Sequence, residues 1–275
     1  LTVNQDVSWS SSNTAVATVD NGLVTALTAG TAVITATSNA DPTLLASTTI
    51  TVKEPAVGFD PSADLITLLD FNGNVNDSSG NNKNGTVQNG RVEYVAGRKD
   101  GDQAAQFLKA TTEIPFDNIP VRLPNGLIAG DNAYTVAAWV KWNGNIADWS
   151  QNYSSIYFSD TFVSAENELN YFMNMGLTNA QKLYISKPLV GSTSELPVGS
   201  WAHVAMTVDP LGETVLYLNG VEIARVASLT RTTLGTNEHF LGGNFWDQNF
   251  NGSMDEFRMY NKALTAEQIA ELANM

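Results

Sequence analysis

The sequence predicts an all-β protein built in two parts, and three observations carry that prediction. Short runs alternate apolar with polar residues, as in AVATVD (15–20), TAVITATS (31–38) and WAHVAMTVD (201–209), which is the period of a half-buried strand. Eight Asn-Gly pairs punctuate the 275 residues, and this dipeptide best accepts the positive φ angles of tight hairpin turns. A helical signal is confined to the end, where Thr265 and Gln268 have capping-box spacing and Ile269 and Leu272 supply a short apolar stripe.

Composition narrows the function classes. An apolar content of 43% is ordinary for a globular chain. No apolar run approaches the roughly 20 residues that span a bilayer, so membrane insertion is not expected. No basic-then-apolar leader opens the chain, so any export signal is expected to have been removed or to lie outside it. Cysteine is absent, which excludes a disulfide framework, a thiolate nucleophile and a Cys-based zinc site. The 28 acidic against 14 basic residues leave a formal charge of -14, which repels phosphate backbones and makes nucleic acid an unsuitable partner. The same charge favours hard divalent cations or simply solubility.

Residues 1–53 are rich in Thr, Val, Ala and Ser, with turns at Asn21-Gly22 and Ala29-Gly30, the pattern of a small β-sandwich. The run VSWSSSNTAVATVDNGLVTALTAGTAVITATS, 7–38, resembles the bacterial immunoglobulin-like group 2 domain through Trp9, Ser10, Ser12, Asn13, Ala17, Val19, Gly22, Val24, Ala26, Gly30 and Thr31. Members of that family have strands before the Trp, so the resemblance implies an N-terminally incomplete domain, of a kind used as spacers and adhesin stalks on bacterial surfaces. Residues 54–61, holding two prolines and a glycine, are expected to be a linker, and 62–275 the second domain.

In that domain DLITLLDF (64–71) has apolar residues on both faces, as in an interior strand, and Asp70 falls with Ile66 and Leu68. Near the other end, GSMDEFRMY (252–260) places Asp255 on one face with Phe257 and Met259, because successive side chains of a strand point to opposite faces. A carboxylate facing a core needs a cation or several donors. NGNVNDSSGNNKNGT (72–86) is a loop crowded with side-chain oxygens, although Val75 and Asn81 stand where an EF-hand loop needs Gly and Glu.

The ordered pieces LLDFNGNVNDSSGNNKNGT, AAQFL, YTVAAWVKW, WAHVAMTVD, LYLNGVEIA, LGG and FNGSMDEFRMYNKALTAEQIAEL, between residues 68 and 272, resemble the laminin-G-like, concanavalin A-like family of bacterial extracellular proteins. The resemblance implies a two-sheet antiparallel jelly roll whose first and last strands are neighbours, closed by a short C-terminal helix. It also implies a structural calcium ion tying the start of the domain to its end, with Asp70, Asp77 and Asp255 as ligands and Asn72 and Asn76 as further candidates. The competing expectation is that these groups cap turns and accept backbone N–H bonds.

Two segments, WNGNIADWSQNYSSIY (142–157) and NFWDQNF (244–250), interleave aromatic with amide and carboxylate side chains. Flat rings stack on the apolar face of a sugar, and planar polar groups pair with its hydroxyls. Trp149, Tyr153 and Trp246 are the stacking candidates, and Asp148, Asn152, Asp247 and Gln248 the polar ones, for a poly- or oligosaccharide partner; packing against neighbouring loops is the alternative. His203 and His239 lack triad partners and are expected to be structural. Glu166 and Glu168 share a face and could serve glycoside hydrolysis, but the ExDxE spacing of related glucanases is absent. The expected function is a non-catalytic carbohydrate-binding or adhesion module, extracellular or on a bacterial cell surface. A polysaccharide-degrading enzyme and a purely structural spacer are the alternatives.

Overall fold

The computed structural model describes residues 6–52, 58–88, 91–108, 119–128, 133–144, 153–163, 170–178, 182–186, 190–211, 213–226, 238–244 and 247–275. The chain divides into two compact units, 1–59 and 60–275.

In the first unit β1 (Val7–Ser11), β4 (Gly30–Ser38) and β5 (Leu45–Val52) form one antiparallel sheet, while β2 (Ala17–Asp20) and β3 (Leu23–Ala26) form a hairpin. Asn21 and Gly22 both take positive φ at the hairpin tip, as the dipeptide predicts. The core is small, with Val16, Ala17 and Ala32 buried and Val24 and Val52 packed on them.

The second unit begins with β6 (Leu65–Leu69), β7 (Thr86–Val87), β8 (Val92–Ala96), β9 (Gln103–Phe107), β10 (Val121–Leu123) and β11 (Tyr134–Trp142). It continues through β12 (Tyr153–Val163), β13 (Asn170–Thr178), β14 (Lys182–Ser186), β15 (Val190–Glu195), β16 (Trp201–Val208), β17 (Thr214–Leu218) and β18 (Val221–Val226). The last strands are β19 (His239–Leu241), β20 (Gln248–Asn249) and β21 (Gly252–Tyr260), followed by the helix α1 (Ala266–Leu272).

Among the described residues these strands make two eight-stranded sheets. One runs β15-β14-β13-β12-β19-β10-β7, with β20 parallel to β12; the other runs β18-β17-β16-β11-β21-β9-β8, with β6 on β21. The architecture is the expected antiparallel jelly-roll sandwich, and its first and last strands are hydrogen-bonded neighbours.

The inner faces enclose one apolar core. Val136, Ala138 and Val140 of β11 meet it from one sheet, and Tyr157, Met175, Leu183, Ile185 and Leu241 from the other. The β17–β18 turn places Asn219 and Gly220 at positive φ. Helix α1 carries the full capping box between Thr265 and Gln268, and Ile269 and Leu272 are buried. A helix this short is stable only through such docking.

Regular alternation fails where the sequence placed Asp255 on the core side. Asp255 is opposite Trp139, but Arg258 is opposite Ala137, so Glu256 and Phe257 together face the single residue Ala138. This β-bulge, with Glu256 in the left-handed region at φ 47°, resets the phase of the strand. Met254, Phe257 and Met259 enter the core, while Asp255 shares the outer face with Trp139. Asp70 is also directed outward, since Thr67 and Leu69 pair with the core residues Met259 and Phe257 and Leu68 pairs with Arg258. Neither carboxylate faces the hydrophobic core, contrary to the sequence expectation for both Asp70 and Asp255.

Candidate functional site

The outer face of the β12–β13–β14 region brings together two tyrosine rings, an amide and a carboxylate. Leu183 and Ile185 point into the core, so Tyr184 between them points outward. Gly176 lies opposite Tyr184 in the register, and its missing side chain makes the site possible: a Cβ there would stand 2.8 Å from the Tyr184 ring and 2.3 Å from Ser154 O. The Tyr184 ring meets Tyr153 edge to face, with centroids 5.2 Å apart. Its hydroxyl donates to Asp247 Oδ2 at 3.4 Å.

Asp247 is set by its own loop. Asn244 Nδ2 donates to Asp247 Oδ2 at 2.7 Å, and Asp247 N donates back to Asn244 Oδ1 at 2.7 Å. The loop is pinned to β12 where Gly242 N donates to Ile156 O and where β20 runs parallel to Ser154 and Ser155. It closes on itself through Phe250 N donating to Gly242 O. Burial, the charge on Asp247 and the neighbouring Tyr153 all push the Tyr184 hydroxyl well above its ordinary pKa, so it remains a donor at any physiological pH. Tyr184 and Asn244 are buried, whereas Tyr153 and Asp247 are half-buried.

Of the residues singled out for ligand binding, Tyr153 and Asp247 are therefore brought to one site by Tyr184. Asp148, Trp149, Asn152 and Trp246 lie outside the described residues, as do Glu166 and Glu168. Gln248 pairs with Ser154 through its backbone. Tyr184 and Asn244 were not singled out. The Asn-x-x-Asp spacing of a turn could have flagged Asn244, whereas Tyr184 depends on a cross-strand glycine that a local reading does not pair with it.

The outward acids form a different constellation. Where β9 and β6 both pair with β21, Arg98 N donates to Asp255 Oδ2 at 3.0 Å. Burial pushes the Asp255 carboxyl above its ordinary pKa, and the charges of Glu256 and Asp102 add to this against the Arg98 N–H. Glu256 accepts from Lys99 Nζ at 2.6 Å, Arg98 at 3.2 Å and Arg258 at 3.3 Å. Burial raises its pKa, but these cations outweigh burial and hold it below the ordinary value. Arg98 also stands 4.2 Å over the Trp139 ring, which meets His203 edge to face at 5.4 Å.

Whether calcium suits these residues turns on what their oxygens already hold. Asp77 accepts backbone N–H bonds from Leu68 (3.0 Å), Ser79 (2.9 Å) and Lys83 (2.9 Å). Partial burial raises its pKa, but the hydrogen bonds from Ser79, Leu68 and Lys83 prevail and lower it. Asp77 thus organises the turn that its loop requires. Asp70 accepts from Asn72 N at 3.2 Å and from Ser78 Oγ at 2.8 Å. Asn72 Oδ1 accepts from Gln103 N at 2.8 Å, and Asn76 N donates to Asn74 Oδ1 at 2.7 Å. Among the described residues no group of three or more His, Asp or Glu is arranged to hold a metal ion.

Both histidines are buried and held neutral, with pKa values pushed down to about 3 chiefly by burial. His239 Nδ1 is hydrogen-bonded to the Tyr157 hydroxyl at 2.9 Å inside the sandwich. Among the described residues no helix is long and apolar enough to cross a membrane.

Comparison with known proteins agrees with this architecture. No curated protein matches the chain. Among solved structures, the chain is similar to domain 4 of AbnA, a GH43 extracellular arabinanase from Geobacillus stearothermophilus, in complex with arabinotriose: 28% identity over 76% of this chain and 98% of that one, with a TM-score of 0.57. It is also similar in fold to the binding domain of Paraclostridial Mosquitocidal Protein 1, at 18% identity over 78% of this chain and 52% of that one, TM-score 0.57. The sialidase of Trypanosoma rangeli shares the fold at 14% identity over 78% of this chain, which spans 33% of the sialidase, TM-score 0.58. Residues 2–53 match the bacterial Ig-like domain (group 2). Residues 117–270, more than half of the chain, match the concanavalin A-like lectin/glucanases superfamily, and the chain belongs to that family.

Proposed function

We propose that the chain is a non-catalytic carbohydrate-binding or adhesion module of a secreted or cell-surface bacterial protein, with Tyr153, Tyr184, Asn244 and Asp247 as its recognition site. The observation that carries this reading is the meeting of two tyrosine rings with a carboxylate and an amide on one sheet face, Tyr184 touching both Tyr153 and Asp247. The half-buried Tyr153 ring offers a stacking face to a sugar and Asp247 an acceptor to its hydroxyls, while the buried Tyr184 and Asn244 hold these two in place. Trp149 and Trp246, close in sequence to Tyr153 and Asp247, fit the same role. Support also comes from the arabinanase domain, which is 28% identical and was seen with arabinotriose. The immunoglobulin-like unit suits a spacer on a cell surface.

Titration calorimetry of the whole chain with arabinan, galactan, xylan and β-glucan tests the proposal. Saturable binding that is lost in Tyr153→Ala and Asp247→Ala, with unchanged melting temperature, supports it. Failure to bind any polysaccharide favours a spacer, and release of reducing sugar or unsaturated ends by the purified chain favours an enzyme.

Calcium belongs to this proposal in a reduced form. Asp77 is committed to three backbone donors, whereas Asp70 accepts from Asn72 N and Ser78 Oγ, Asn72 from Gln103 N and Asp255 from Arg98 N, so these three, with Asn76, are the oxygens to which an ion tying β6 to β21 could add beside those donors. Binding only the folded state, calcium would raise the melting temperature. An increase on adding calcium that is reversed by chelation and missing in Asp255→Asn supports the ion; no response in the parent chain removes it.

A further inference from the structure

The charges around this site narrow the ligand, an inference that rests on the carbohydrate-binding reading above. We infer that the site formed by Tyr153, Tyr184, Asn244 and Asp247 takes uncharged, hydroxyl-rich glycans and rejects those bearing carboxylate or sulfate groups. An ionised carboxylate is an acceptor only and carries a full negative charge, so Asp247 welcomes a sugar hydroxyl and repels a sugar acid. The two donors beside it, Asn244 Nδ2 and the Tyr184 hydroxyl, are both turned to Asp247 Oδ2 and thus serve the protein's own anion.

Recognition of anionic sugars calls for the opposite equipment, above all an arginine whose fork fits a carboxylate. Among the described residues, the cations on this face of the sheet already have acidic neighbours. Arg122 stands 4.7 Å over the Phe240 ring and is paired with Glu238 at 3.1 Å, and Lys182 lies opposite Glu195 in the β14–β15 ladder. The segments that lead into the site add no positive charge: 143–157 contains Asp148, 242–252 contains Asp247, and neither contains Lys or Arg. The net charge of -14 gives the same bias at long range.

The test is a matched pair of polymers. Galactan and β-glucan, whose C6 hydroxyls are free, are each compared, by calorimetry on the whole chain, with the same polymer after oxidation of those primary hydroxyls to carboxylates. Binding of at least one parent polymer is expected, and its oxidised form should bind about tenfold or more weakly at 20 mM salt. The gap should shrink at 300 mM salt, because screening weakens charge repulsion. In Asp247→Asn, which keeps an acceptor and removes the charge, the pair should bind within about threefold of each other. Equal or tighter binding of an oxidised polymer by the unaltered chain overturns this inference and leaves carbohydrate binding standing. If neither parent nor oxidised polymer binds, this inference falls, and the carbohydrate reading falls with it only if arabinan and xylan also fail to bind.

Discussion

Gly176 and Tyr184 face each other across β13 and β14, and the aromatic site exists because the first has no side chain where the second lays its ring. A Cβ at this position would approach Ser154 O to 2.3 Å, closer than real contacts allow. Gly176→Ala is therefore expected to destabilise the second domain by about 1–3 kcal/mol, as overpacking does. It should also weaken ligand binding more than Tyr153→Ala does. Denaturant melts and calorimetry of the two variants check this; a Gly176→Ala chain as stable as its parent would mean that the strands shift freely.

Loss of a central aromatic contact costs more than about 1 kcal/mol at a recognition hot spot, or roughly fivefold and upward in affinity. Tyr153→Ala is expected to show at least that loss with little change in melting temperature, because the ring is half-buried. Tyr184→Phe keeps the ring and removes only the donor to Asp247, so its effect should be smaller. Parallel titrations of the two variants with one bound polysaccharide give the comparison.

Acid should unfold the second domain through its two histidines. Both have folded pKa values of about 3 against an ordinary 6.5. Above pH 6.5 neither the folded nor the unfolded form binds the proton, and stability does not depend on these groups. Between pH 6.5 and about 3 only the unfolded chain does, so stability falls as pH falls, by up to about 1.4 kcal/mol per pH unit for each histidine. Chemical melts from pH 7 to 4 should show this slope, and His203→Gln should flatten it; a slope unchanged in the variant refutes the assignment to His203.

At the bulge, Glu256 holds a left-handed conformation that disfavours residues with a side chain. Glu256→Ala and Glu256→Gly both lose the contacts to Lys99, Arg98 and Arg258, so their difference isolates the backbone. The Gly variant is expected to be more stable than the Ala variant by about 1 kcal/mol, read from equilibrium unfolding.

Much of the fold is legible along the chain. Asn219-Gly220 gives its turn because both residues tolerate positive φ, and Thr265 with Gln268 caps a helix because both partners lie within one turn. The loop after Asp70 is visibly rich in side-chain oxygens, but which donors each oxygen meets follows from folding. Asp77 shows this, since Leu68 reaches it from a strand nine residues earlier.

Sequence alone determined the all-β class, the two-part organisation and the acidic charge, and it singled out two members of the proposed recognition site, Tyr153 and Asp247. These follow from local period, turn chemistry and composition. Tertiary structure decided which face Asp255 occupies and which residues complete the site. A bulge moves every later side chain by one step, and Gly176, Tyr184 and Asp247 meet only when separate strands align; neither event leaves a mark on neighbouring residues in the chain.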